Sequence, residues 1–267
     1  MKKIKLFSIL FFLISVSIYG VYIIREKLNE DFDAPTIQCA TDTLTVSVDV
    51  TEEELLQDVT AVDKVSGDVT HSVVIEKLSE LAEDHSRVIT YAAIDEAGNV
   101  ARLQRTLIYS DYQEARFSLS EPLRFPMGST IDFLARVHAD SVLDENLDDK
   151  IKYSMEGSID LKSTGTYTVD YRVTDSAGRT ITLPLPVEIY NPVEERIKVI
   201  LTEYLVYVPL NKNFVPENYF VGSDIEGELS VQSNVKTSKP GIYEVNYQVT
   251  SPMSVGKSRL IVVVTES

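Results

Sequence analysis

The sequence contains one cysteine and no tryptophan among its 267 residues. A single cysteine excludes a disulfide within the chain and any zinc site built from several cysteines. Basic side chains are also scarce, with 25 against 41 acidic ones, and the formal net charge is −16. Because proteins bind nucleic acids through patches of Lys and Arg placed on phosphates, this charge argues against a nucleic-acid partner.

The sequence also lacks the common motifs of catalytic sites. Its histidines, His71, His85 and His138, are scattered, and neither a Gly-x-Ser-x-Gly turn nor a phosphate-binding glycine loop occurs. Small β-sandwiches offer few deep clefts in which the pKa of a carboxyl group could be raised for catalysis. We therefore expect a protein that is not an enzyme, with a surface hydrolase as a remote alternative.

An apolar segment is present at the N-terminus. Lys2, Lys3 and Lys5 precede an uncharged stretch over residues 6–24. A helix of this length, at ~1.5 Å per residue, reaches about 29 Å, which is close to the ~30 Å hydrocarbon core of a bilayer. The sequence predicts a transmembrane signal-anchor helix over residues 6–24, and the membrane is then a partner of the chain.

The flanking charges predict the orientation of this helix. Lysines before the helix favour a cytoplasmic N-terminus, so residues 1–5 would be a cytoplasmic tail and the domains after the helix would be extracellular. This gives a single-pass protein of the cell membrane. A cleaved signal peptide is the alternative, since Ser15-Val16-Ser17 offers a small-x-small site. Cleavage there would leave the apolar residues 18–24 on the mature N-terminus, which favours the anchor.

Beyond the helix, one unit occurs three times. The segments 87–99, 167–179 and 243–251 align on a Tyr-x-Val-x-Tyr-like pattern. Tyr91, Tyr171 and Tyr247 mark the same position in each copy, so that the period is close to 80 residues. The sequence therefore predicts three tandem domains, over residues 33–110, 112–190 and 193–267.

The repeated segments alternate in the manner of half-buried strands. In the second copy Tyr167, Val169, Tyr171 and Val173 fall on one face, with polar residues between them. This period of two is typical of antiparallel strands with one face in a core. Several such strands in ~80 residues predict an all-β fold of antiparallel β-sandwiches.

Turns and caps complete the local prediction. Asp95 to Asn99 and Asp175 to Arg179 predict turns into a final strand, because Gly supplies a positive φ and Asp accepts hydrogen bonds from its own backbone. Thr51 and Glu54 predict a capping box on a short helix. Leu44 to Val50 alternate and predict an early strand of the first copy.

These motifs resemble bacterial immunoglobulin-like surface domains, of the type related to hyalin repeats and to the Ig-like domain of pesticidal crystal proteins. Their pattern is Ala-x-Asp, then Gly-Asp-Val-Thr, then Gly-x-Tyr-x-Val-x-Tyr-x-Val-x-Asp-x-Ala-Gly-Asn. The first copy matches at 61–63, 67–70 and 91–99, and the second matches best, at 164–178. The third copy keeps the strand but replaces the turn by the segment 251–256.

The resemblance covers residues 33–265 and implies three Ig-like sandwiches. Modules of this type usually serve as stalks, adhesin segments or binding accessories. The resemblance therefore implies a non-catalytic, membrane-anchored extracellular protein that acts as a surface stalk, an adhesion module or a protein-interaction module. A glycan- or cell-wall-binding accessory protein is the alternative, so that the expected partner is a surface protein or a polysaccharide.

One acidic cluster is a weak candidate for calcium, although we expect no cofactor. Asp144, Glu145, Asp148 and Asp149 offer the oxygen ligands that calcium requires, but Leu147 interrupts them and the Asp-x-Asp-x-Asp-Gly loop is missing. An exposed acidic loop is the favoured interpretation. The recurring aspartates Asp63, Asp95, Asp140 and Asp175 are interpreted as turn caps near the end of each sandwich.

The tyrosines and Cys39 are interpreted as structural residues. Alternation with polar residues directs the paired tyrosines into the core, and the missing tryptophan weakens a sugar-stacking site. Cys39 has no partner within the chain, so it is either buried as a small apolar residue or links two chains.

Overall fold

A computed structural model describes the backbone of residues 2–28 and 31–266 and the side-chain surroundings of residues 11–25 and 31–266. The first element is helix α1, Lys2–Leu28, which contains the predicted anchor. Met1 of the predicted cytoplasmic tail, and the side chains of residues 2–10, lie outside the described residues. Within the described part, no helix combines the length and the hydropathy that a membrane crossing needs.

The chain divides into two compact units, residues 1–110 and 111–267. The second unit contains both the second and the third copy of the repeat. Nearly all regular structure after α1 is β, in several separate sheets, which is consistent with the predicted all-β sandwiches. The three domain boundaries stay a prediction.

The first copy contains two sheets. One has the strand order β1-β3-β4, and the other has the order β2-β7-β6-β5 with β2 parallel to β7. The strands are β1 Thr36–Cys39, β2 Thr43–Val46, β3 Val59–Asp63, β4 Gly67–Asp68, β5 Val74–Leu78, β6 Ser86–Ile94 and β7 Val100–Tyr109. Cys39 is partly exposed at the end of β1 and is a free thiol, and burial raises its pKa.

Helix α2, Glu52–Leu56, carries the predicted capping box. The backbone N–H of Glu54 donates to the Thr51 side chain, and the Glu54 carboxylate accepts from the Thr51 N–H at 2.9 Å. The predicted early strand is too long, because β2 ends at Val46. The chain turns at Ser47, whose carbonyl accepts from the Val50 N–H, and Val48 and Val50 are therefore not in the strand.

The second copy repeats this arrangement. A two-stranded sheet has the order β10-β8, and a four-stranded sheet has the order β11-β12-β13-β9 with β9 parallel to β13. The strands are β8 Arg116–Leu119, β9 Arg124–Pro126, β10 Val137–Asp140, β11 Lys152–Met155, β12 Gly165–Thr174 and β13 Thr180–Tyr190.

The third copy has the same order again. A two-stranded sheet pairs β14 with β16, and the four-stranded sheet has the order β15-β19-β18-β17 with β15 parallel to β19. The strands are β14 Val199–Leu201, β15 Leu205–Pro209, β16 Phe220–Ser223, β17 Glu228–Ser233, β18 Gly241–Thr250 and β19 Val255–Thr265. The internal repeat in the sequence is therefore also a repeat of topology.

One tyrosine lies at the centre of each copy. Tyr91, Tyr171 and Tyr247 have no exposed surface, which confirms the predicted inward face of β12 and β18. Each hydroxyl donates to a backbone carbonyl 31 to 38 residues away, at 2.8, 3.0 and 2.6 Å respectively. The ring fills the core and the hydroxyl is satisfied by a crossing segment, so that one residue ties a strand to the opposite side of the sandwich.

The second and third copies share apolar contacts within their unit. Leu205 and Ile261 of the third copy belong to the same buried cluster as Phe117 and Leu185 of the second. The Tyr207 hydroxyl accepts a hydrogen bond from the Phe117 N–H at 3.0 Å. The two copies are therefore packed together rather than joined by the chain alone.

Candidate functional site

The structure places the acidic cluster of the second copy in a network of donors. Asp144 accepts hydrogen bonds from the Ser141 hydroxyl and the Ser176 N–H, and it pairs with Lys150 at 3.1 Å. Asp148 accepts from the Ala139 N–H and lies 2.8 Å from Nδ1 of His138. Two of the four candidate carboxylates are therefore occupied by donors of the protein itself.

The other two members of that cluster lie apart from these pairs. Glu145 lies in the loop with a positive φ of 55°, and Asp149 lies in a short 3₁₀ turn, Asp148–Lys150. Within the described residues, the four side chains are not gathered as three or more ligand atoms around one point. Calcium binding by this cluster stays a prediction, because the described side chains do not converge on one point. The candidate residues are Asp144, Glu145, Asp148 and Asp149.

A different set of carboxylates is brought together in the first copy. Asp31 precedes β1, Asp63 ends β3 and Asp95 follows β6. One oxygen from each lies within 4.8 Å of the others. Asp63 and Asp95 are 4% and 7% exposed, and Asp31 is half-buried. We call these three residues the aspartate cluster.

Two members of the aspartate cluster also cap turns, as the sequence predicts. Oδ1 of Asp63 accepts from the backbone N–H groups of Val65 and Ser66 at 2.7 and 2.6 Å. Oδ1 of Asp95 accepts from the Asn99 N–H at 2.8 Å, and Oδ2 accepts from the Asn99 amide at 2.9 Å. Gly98 has the positive φ, 92°, that this turn requires.

The segment before β1 is fastened to the same turn. The Asn99 amide group donates to the carbonyls of Asp31 and Asp33, both at 3.1 Å. Oδ1 of Asp31 accepts from the Asp33 N–H, whereas its Oδ2 has no exposed surface and no hydrogen-bond partner among the described residues. Asp31 belongs to no repeated motif, so the sequence pattern did not point to it.

Hydrogen bonds keep the two buried carboxylates ionised. The Ser66 N–H is the largest cause that holds the pKa of Asp63 below its ordinary value, and it outweighs the effect of burial. Burial raises the pKa of Asp95, but the Asn99 amide and the backbone N–H groups of the turn outweigh it, so the pKa is again lowered. Both groups therefore carry a negative charge at neutral pH.

The second copy uses different residues at the same place. Ser141 stands where Asp63 stands, and its hydroxyl accepts from the N–H groups of Leu143 and Asp144. Asp175 takes the place of Asp95, and the Tyr112 hydroxyl donates to its Oδ2 at 2.7 Å. Asp140, interpreted from the sequence as a turn cap, is exposed instead, because the cap lies one residue later at Ser141.

A second polar feature lies between the second and third copies, within their common unit. Arg124 donates two hydrogen bonds to Glu188, both at 3.0 Å, and a third to Glu195 at 2.6 Å. Lys257 pairs with Glu195, and Arg259 pairs with Glu188. We call these five residues the junction network. The Arg124 side chain is 7% exposed, so these pairs are largely screened from water.

A shallow cleft of about 440 Å³ borders the junction network. Its two carboxylates are Glu121 and Glu195, and each is paired with an arginine, Arg136 and Arg124 respectively. Each acid is therefore held by a cation rather than standing alone in an apolar environment. The cleft is therefore a polar surface feature whose two carboxylates are both paired.

Among the three copies of the repeat, the second matches a known protein family. Residues 121–188 match the model of a family described as bacterial surface protein, Ig-like domain. An 81.3 kDa protein of Acholeplasma phage L2 is 28% identical over 162 residues, which are 56% of this chain and 20% of that protein. The chain thus spans about a fifth of the length of this relative.

Solved structures match the chain only weakly. A Clostridium perfringens ZmpB structure, with CBM51-2 in complex with GlcNAc and INT domains, is 12% identical with a TM-score of 0.23, covering 86% of this chain and 42% of the other. Drosophila N-cadherin EC1-4 is 11% identical with a TM-score of 0.25, covering 89% and 68%. Similarities of this size carry no argument about function.

The resemblance seen in the sequence is confirmed where the family model matches. The matched residues include β9 to β12 and most of β13, and they contain the buried Tyr171 and the Asp175 turn. Residues 121–188 of the second repeat thus match a bacterial surface Ig-like domain.

Proposed function

We propose that this chain is a non-catalytic surface protein, in which α1 is a membrane anchor and three Ig-like domains form an extracellular adhesion or protein-interaction module. The observation that carries the proposal is the match of residues 121–188 to a bacterial surface Ig-like domain. The partner would be a surface protein or a polysaccharide. The first and third copies support the proposal because they repeat the strand order of the matched copy.

The use of the motif residues also supports a structural role for the repeats. The repeated tyrosines are buried in the cores, at Tyr91, Tyr171 and Tyr247. The repeated aspartates, Asp95 and Asp175, accept hydrogen bonds within turns. Their repetition therefore preserves a scaffold rather than a reaction centre, and recognition of a partner would rest on exposed strands and loops.

The anchor is tested by placing charge in the middle of α1. Ile14 and Ile18 are exposed on the helix, and each arginine at the centre of a membrane-spanning helix costs about 2.5–3.5 kcal/mol in insertion. We expect the full chain to remain in the membrane fraction after high-salt and carbonate washes. We expect the variant Ile14→Arg/Ile18→Arg to leave that fraction.

The matched control is Ile14→Leu/Ile18→Leu, which keeps the helix apolar and should behave as the original chain. Release of the unaltered chain by the washes would contradict the anchor. A mature N-terminus near residue 18, found in the medium, would instead establish the cleaved signal peptide.

A glycan array distinguishes the two partner classes. The full chain, held in detergent micelles, should bind no glycan class selectively if its partner is a protein. Selective binding that is competed by the free sugar would replace the adhesion proposal by the glycan- or wall-binding alternative.

A further inference from the structure

The aspartate cluster concentrates negative charge without a cation beside it. None of the ion pairs found among the described residues involves Asp31, Asp63 or Asp95. Like charges at such short separations repel strongly, more so where water is excluded. The chain nevertheless folds so that three separate segments bring their carboxylates to one point.

An unpartnered oxygen in the cluster is a second and independent observation. Oδ2 of Asp31 is completely buried and has no hydrogen-bond partner in the described part of the chain. The neighbouring side chains of Asp63 and Asp95 are each more than nine-tenths buried. Buried polar atoms in folded proteins are nearly always paired, so an orphaned carboxylate oxygen beside two further carboxylates is suited to bind a cation.

The spacing and the ligand type select the kind of cation. Two oxygens bound to one Ca²⁺ at 2.3–2.6 Å lie no more than about 5 Å apart, and the cluster oxygens lie within 4.8 Å of one another. One ion can therefore contact all three residues. Mg²⁺ demands near-ideal octahedral geometry and dehydrates reluctantly, so three carboxylates from separate segments suit Ca²⁺ better. The donors are all oxygen, which suits hard cations rather than zinc or copper.

The second copy fills the same place with a different set of groups. There Ser141 replaces one carboxylate, and the Tyr112 hydroxyl supplies a proton donor to the retained Asp175. Burial and the hydrogen bond to Asp175 both raise the pKa of Tyr112, so it remains a donor across the neutral range. The third copy reads Ser251 at this turn. The first copy alone has Asp at all three positions.

We propose that Asp31, Asp63 and Asp95 form a Ca²⁺ site in the first copy of the repeat. The ion would tie the segment that enters the domain to the ends of β3 and β6. This site differs from the acidic cluster of residues 144–149, whose main carboxylates are held by Lys150 and His138. The proposal does not depend on the adhesion role.

Calcium titration of the metal-free full chain in detergent micelles tests the proposal. Isothermal calorimetry should show one Ca²⁺ bound at the cluster with a Kd on the order of 10⁻⁴–10⁻³ M, the range of extracellular calcium modules. Asp31→Asn and Asp63→Asn should each weaken this binding by at least about tenfold, because each removes a charged ligand. Ca²⁺ should bind more tightly than Mg²⁺.

Two control variants carry the same change of charge. Glu83→Gln alters an exposed acid of the same unit, and Asp175→Asn alters the matched position in the second copy. Both should bind Ca²⁺ as the original chain does. No binding up to about 10 mM Ca²⁺, or undiminished binding by both cluster variants, would overturn the proposal.

Thermal unfolding without metal distinguishes a lost ligand from a damaged fold. Asp31→Asn removes repulsion and breaks no hydrogen bond at Oδ2, so its metal-free melting temperature should equal or exceed that of the original chain. Added Ca²⁺ should then raise the melting temperature of the original chain but not that of the variant. If Ca²⁺ raises the melting temperature of the variant as much as that of the original chain, the proposed site is contradicted.

Discussion

Replacing Tyr171 by alanine is expected to destabilise the second unit by about 3–5 kcal/mol, as truncation of a large buried aromatic does. The ring has no exposed surface, and its hydroxyl donates to the Phe133 carbonyl at 3.0 Å. The change therefore opens a cavity and also leaves a carbonyl without its donor. Urea unfolding of the full chain in detergent, followed by tyrosine fluorescence, measures the loss.

The neighbouring residue is the matched control. Arg172 lies next along β12 on the opposite, exposed face, so Arg172→Ala should cost under about 0.5 kcal/mol. Tyr171→Phe isolates the hydroxyl and should cost about 1 kcal/mol. Equal and small losses at Tyr171 and Arg172 would show that the inward face of β12 is assigned to the wrong residues.

Removal of Arg124 is also expected to destabilise the second unit strongly, in this case for an electrostatic reason. Arg124→Met leaves Glu188 and Glu195, whose side chains are 19% and 13% exposed, without their main partner. Breaking a buried ion pair by removing one member costs about 3–5 kcal/mol when the remaining charge is uncompensated. Arg259 and Lys257 still pair with Glu188 and Glu195, so we expect a loss at the low end of that range. The loss should appear as a lower urea midpoint for the second unit.

A surface pair in the first copy provides the comparison. Arg102 binds Glu76 through the same two-pronged geometry, but the two side chains are 57% and 39% exposed. Arg102→Met should therefore cost under about 1 kcal/mol. If Arg124→Met and Arg102→Met lower the free energy of unfolding by the same small amount, the junction network does not hold the second and third copies together.

The effect of Arg124 should also depend on pH. Burial raises the pKa of Glu188, but the hydrogen bonds and charge of Arg124 outweigh it and hold the pKa below the ordinary value of 4.5. A group with a lowered pKa stabilises the fold above its unfolded pKa and loses that contribution as the pH falls through its folded pKa. The original chain and Arg124→Met should therefore differ less in their free energy of unfolding as the pH falls below about 4.5.

The sequence was sufficient to predict the strands that carry local patterns. Alternation around Tyr171 and Tyr247 predicted their faces, because the period of a strand is read from neighbouring residues. The same rule extended the early strand to Val50, four residues beyond its end at Val46. It failed there because a turn at Ser47 preceded the helix, and apolar alternation alone does not show where pairing stops.

Contacts between distant segments were not predictable in this way. The hydroxyl of Tyr91 reaches Leu55, and the aspartate cluster joins residues that are 32 positions apart. Such contacts depend on how the two sheets face each other, which no short motif encodes. A comparison of the copies does carry a signal, since Asp63 and Ser141 occupy one structural position and differ in charge.

Protease added to intact cells is the most direct test of the central claim, that α1 anchors the chain while the repeats lie outside. We expect proteinase K to remove the material after residue 33 from intact cells and to leave a short membrane-bound fragment containing α1. A cytoplasmic protein of the same cells should stay uncut until lysis. Full-length chain that resists the protease on intact cells, and is cut only after the membrane is opened, would contradict the account.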